Sequence, residues 1–100
     1  MGLKLVLHQR AIDDLGTIHD YLVSEASPAS AELVRSHLRR RMRRLLDTPL
    51  MGPRTSHPEI RILPPSRFSY RIYYTVTHEA VVVLHVLHTA RHDPDLNELV

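Results

Sequence analysis

The chain contains no cysteine, which excludes a disulfide framework and any thiolate zinc site and suits a reducing compartment such as the cytoplasm. It has no apolar run approaching the length of a membrane span, about 18 residues or more. The opening Met-Gly-Leu-Lys-Leu-Val-Leu is too short for a signal-peptide core and lacks a small-residue cleavage site. Repeats, low-complexity tracts and a linker between domains are missing as well. What is left is one domain over residues 1–100, with a hydrophobic fraction of 43% that supports a single core.

The formal charge is only +2, but it is unevenly placed. Arg35, Arg39, Arg40, Arg41, Arg43 and Arg44 fall together in one stretch. Such a face is either solvated or docked on an acidic partner surface. Eight histidines without cysteine raise the question of a metal. Their spacing supports no site, because His85 and His88 fall on opposite faces of a strand.

Periodicity divides the chain. Leu3, Leu5 and Leu7 alternate with Lys4, Val6 and His8, which predicts a short strand. Ala11, Leu15, Ile18 and Leu22 then share one helical stripe through about Glu25. This helix shows no convincing N-cap, and Gly16 in its middle suggests a close packing contact. Ser27-Pro28 opens a second helix that runs to about Leu46, with Val34, Leu38, Met42 and Leu45 buried. Thr48-Pro49 stops it. The two form a helical hairpin.

A loop from residue 50 to 57 leads into the richest stretch, residues 58–92. Ile60 and Ile62 alternate with Glu59 and Arg61. Phe68, Tyr70, Ile72, Tyr74 and Val76 share one parity, and residues 81–87 are almost wholly apolar. The pattern predicts three antiparallel strands, the last covered on both sides or central in its sheet. Asp93-Pro94 suggests a final short helical turn through Leu99. The fold expected is α+β, in the order β-α-α-β-β-β, with a two-helix hairpin on one face of an antiparallel sheet. Leu15, Ile18, Leu22, Leu38, Met42, Ile72, Val83 and Leu87 are its expected core.

Several strings occur in a telling order. They are Ala11-x-x-Asp14-Leu15-x-x-Ile18-x-x-Tyr21, Pro49-x-x-Gly52, Ile60-Arg61-Ile62-Leu63-Pro64, Tyr70-Arg71-Ile72-Tyr73-Tyr74 and Val86-Leu87-His88-Thr89-Ala90-Arg91. Together they resemble the RelE/ParE superfamily of bacterial toxins from type II toxin–antitoxin pairs, and the closing string is especially similar to the ParE branch. RelE-like members cut messenger RNA in the ribosome, which needs several cations at one phosphate and a group near the 2′-hydroxyl. By resemblance Arg61, Arg71 and Arg91 match three of those cationic positions. Leu63 stands where a second lysine is needed, and no tyrosine follows Tyr74. That inventory fits the ParE branch, which the resemblance describes as non-enzymatic and directed at DNA gyrase by protein–protein binding.

The resemblance therefore implies a cytoplasmic toxin neutralised by a ParD-like antitoxin in a heteromeric complex. It implies no metal, no cofactor, no membrane contact and no sequence-specific nucleic-acid contact. The residues expected to meet target or antitoxin are Arg61, Arg71, His88, Arg91, Arg40, Arg43 and Arg44. The alternatives are a RelE-like ribosome-dependent endoribonuclease and a degenerate, nontoxic module that only binds antitoxin.

Overall fold

The computed structural model describes residues 2–100. Strand β1 (Lys4–Leu7) is followed by helices α1 (Gln9–Glu25) and α2 (Pro28–Arg44). Strands β2 (Arg61–Leu63), β3 (Tyr70–Val76) and β4 (Ala80–His88) follow, and a short 3-10 turn occupies Leu96–Glu98. The sheet order is β1-β4-β3-β2. Strands β2, β3 and β4 form the antiparallel ladder that alternation predicts. Strand β1 pairs in parallel with β4, so the sheet is mixed rather than antiparallel throughout. A four-residue alternation tells which face is buried but not which way the strand runs beside its neighbour.

Local chemistry accounts for the helix ends. Ser27 caps α2 by accepting the Ser30 N–H at 3.0 Å, with Pro28 just inside, as its sequence suggests. Arg41, Arg43 and Arg44 in the last turn complement the negative end of the helix. Helix α1 does have a cap: His8 Nδ1 accepts the Arg10 N–H at 3.0 Å. Histidine lies outside the usual capping set, which hid it.

The main core lies between the helices and one sheet face, where Leu38, Met42, Ile72, Tyr74, Val81 and Val83 are buried. Leu15, Ile18 and Leu22 are only partly buried against it. A second cluster covers the opposite face, with Ile60, Tyr73, Leu84 and Leu99 buried. Leu87 packs there, not in the main core. The cause is a register shift: Tyr73 faces His85 but Tyr74 faces Val83, leaving Leu84 without a partner. The extra residue flips the parity of β4, so Val83 and Val86 both face the helices.

Where β1 stops at Leu7, the β4 edge would lie open. Asp14 of α1 fills the gap: its Oδ2 accepts the Val86 N–H at 2.8 Å and also the Nδ1–H of His85. Gly16 is not held by a close packing contact: among the described residues outside its own turn of helix, a Cβ there would meet nothing within 4 Å.

Candidate functional surface

Arg61 stands opposite Tyr74 and Arg71 opposite Leu87. Cross-strand partners share a face. Tyr74 belongs to the helix-side core and Leu87 to the opposite cluster, so the two arginines lie on opposite faces of the sheet. Each is also engaged. Arg61 Nη1 donates to the carbonyls of Gly52 at 2.8 Å and Leu50 at 3.3 Å. Arg71, its side chain 17% exposed, donates to Asp93 Oδ1 at 2.7 Å and to the Arg91 carbonyl at 3.0 Å. Arg71 Nε is buried without a partner among the described residues.

Arg61 therefore fastens the loop after α2, together with the buried Tyr74. The Tyr74 hydroxyl accepts the Gly52 N–H at 2.9 Å and donates to the Pro49 carbonyl at 2.8 Å. A Cβ on Gly52 would lie 2.7 Å from that hydroxyl oxygen and from the Ile62 carbonyl oxygen, so only glycine fits. The Pro49-x-x-Gly52 string is thus explained by packing. Leu63 is also in the core, 2% exposed.

His88 ends β4 and Arg91 lies just beyond the turn that follows it, both exposed. His88 Nδ1 accepts the Ala90 N–H at 3.0 Å, and its ring meets the Tyr70 ring edge-on at 5.4 Å. Arg40, Arg43 and Arg44 are exposed on α2 and form no ion pair among the described residues. The chain's seven expected contact residues therefore do not gather into one site.

A cleft of about 620 Å³ opens on the second sheet face, between the loop at residues 55–58 and the chain at residues 93–97. Nothing in the linear pattern marks it, because its walls are irregular segments far apart in sequence. Ile62 and Tyr73 are among its lining residues, together with His57, Asp93 and Asp95. Burial raises the Tyr73 hydroxyl above its usual range; Arg71 opposes that rise and Asp93 adds to it. The charged groups here are carboxylates, which repel a phosphate backbone. Among the described residues no three His, Asp or Glu side chains come together as a metal set. Among the described residues no helix is long and apolar enough to cross a membrane.

Two helices on a four-stranded mixed sheet in this order define the RelE/ParE toxin fold. Among the solved structures that share it are the following. One is the chromosomal ParDE toxin–antitoxin system from P. aeruginosa, with a TM-score of 0.77 and 19% identity over 86% of this chain and 95% of that one. A double-arginine mutant of E. coli toxin RelE in the free state gives 0.67 and 17% identity, over 99% of this chain and 90% of that one. The isolated E. coli RelE toxin gives 0.62 and 17%, over 96% and 92%. No curated protein sequence matches. The family profile described as ParE toxin of type II toxin-antitoxin system, parDE, matches residues 5–93. The chain belongs to the ParE toxin family.

Proposed function

We propose that this chain is a toxin that inhibits DNA gyrase by protein–protein binding in the cytoplasm, is held inactive by a ParD-like antitoxin, and has no catalytic centre of its own. The observation that carries this reading is the separation of Arg61 and Arg71 onto opposite faces, each already bonded to backbone or carboxylate. A ribonuclease of this fold needs cations converging on one phosphate. Here the converging pair is absent, Leu63 is buried, and the cleft beside Arg71 is lined by Asp93 and Asp95. The solved ParDE system supports an antitoxin partner by likeness of fold. The test is induction of the chain alone in bacteria, scoring filamentation with DNA-damage signalling against translation arrest. Arrest of translation without DNA damage would refute the reading.

A further inference from the structure

Arg67, at the turn between β2 and β3, has φ of 66°, the one positive value at a non-glycine residue among those described. The Phe68 N–H donates to the Ser66 carbonyl at 2.7 Å, closing a three-residue γ-turn around it. With positive φ at its centre this turn is the rare, strained form. Glycine would adopt it without strain. The chain nevertheless holds an arginine there, exposed, with its guanidinium 5.0 Å from the centre of the Phe68 ring.

Helix α2 lies against this turn. His37 Nε2 donates to the Ser66 carbonyl at 2.6 Å, and its ring meets Phe68 edge-on at 5.2 Å. Arg41 Nη1 donates to the Pro64 carbonyl at 2.6 Å. His37, Arg40, Arg41 and Arg44 are spaced three, four and seven residues on from the first, so they share one helical stripe. Arg40 and Arg44 are exposed beside the two that reach the turn. Neither residues 33–46 nor residues 60–78 contain an aspartate or glutamate. Two acid-free stretches thus meet: the one carboxylate of α2, Glu32, pairs with Arg35, and Arg40, Arg44 and Arg67 form no ion pair among the described residues.

We infer that the ridge formed by Arg40, Arg44 and Arg67 is the docking surface for an acidic segment of the antitoxin, whose carboxylates the guanidiniums would receive. This rests on the toxin–antitoxin reading and names the place and chemistry of that contact. Charge complementarity argues for it, since an uncompensated arginine ridge on a chain of net charge +2 calls for carboxylates from outside. The strained turn supports it, because the backbone strain at Arg67 is tolerated for an exposed side chain whose contact inside the chain is the face of the Phe68 ring.

The test uses the protein encoded by the adjacent reading frame as one probe and a short duplex DNA as the other. Wild type, Arg67→Gly and Arg40→Glu/Arg44→Glu are compared for binding and for urea denaturation. The expected result is that Arg67→Gly is at least as stable as wild type but binds the adjacent-frame product about tenfold to a hundredfold more weakly. The double variant weakens binding further, and the differences shrink as salt is raised. Unchanged affinity in both variants, with wild type binding tightly, overturns the surface alone. Duplex DNA bound through these arginines, with antitoxin binding unaffected, overturns it in favour of a polyanion site. A wild type that does not bind the adjacent-frame product removes the toxin–antitoxin reading and this inference with it.

Discussion

At the residue scale, positions that look like chemistry turn out to hold the backbone. Gly52 is fixed by the buried Tyr74 hydroxyl, and Gly52→Ala must push Tyr74 or the Ile62 carbonyl aside. Overpacking of this kind costs about 1–3 kcal/mol, and urea denaturation of the variant should show a loss of that size. An unchanged midpoint would contradict the packing seen around Tyr74. Burial also raises the hydroxyls of Tyr70, Tyr73 and Tyr74 above their usual range. A group whose folded value is raised keeps its full contribution below the unfolded value and loses it as pH rises through the folded one. Stability should therefore hold up to about pH 10 and fall above it. Tyrosinate absorbance and circular dichroism followed together check this: these three tyrosines should ionise late, with unfolding.

At the element scale, the parts that follow from local rules were legible. Ser27-Pro28 marks the start of α2, and the Leu38 and Met42 stripe is buried as its spacing requires. Leu38→Ala should cost about 2–5 kcal/mol by denaturation; a loss below about 1 kcal/mol would contradict its place in the core. What was not legible depends on neighbours distant in sequence. The β4 bulge moves Leu87 to the second face, and no alternation pattern records an unpaired Leu84. Asp93 does not open the last turn; Asp95 caps it by accepting the Asn97 N–H at 3.0 Å, while Asp93 pairs with Arg71. The role of Asp14 at the β4 edge is likewise invisible in a helical pattern. Asp14→Ala leaves the Val86 N–H without its acceptor and should cost about 1–3 kcal/mol. Hydrogen exchange should speed up most at Val86, and uniform exchange across β4 would argue against a specific edge cap.

At the scale of the whole molecule, the family was legible because its strings follow one another at the right spacing, while the candidate site was legible only in part. Types and positions of the cations can be read in the sequence; the face each one occupies cannot, because that depends on strand partners. Arg61 and Arg71 are ten residues apart and similar in pattern, yet sheet register sends them to opposite sides. Arg71 also ties down the end of the chain, where Leu99 closes the second core. Arg71→Ala should make the segment from residue 89 onward more sensitive to protease than in wild type, and equal cleavage would contradict that tether. The account stands or falls on action by binding. Its most direct test is plasmid supercoiling by purified gyrase, with the chain titrated in and ribosome-bound message assayed in parallel. Inhibited supercoiling with accumulating cleaved DNA and intact message is the result expected; unaffected supercoiling with rapid cuts in the message would contradict it.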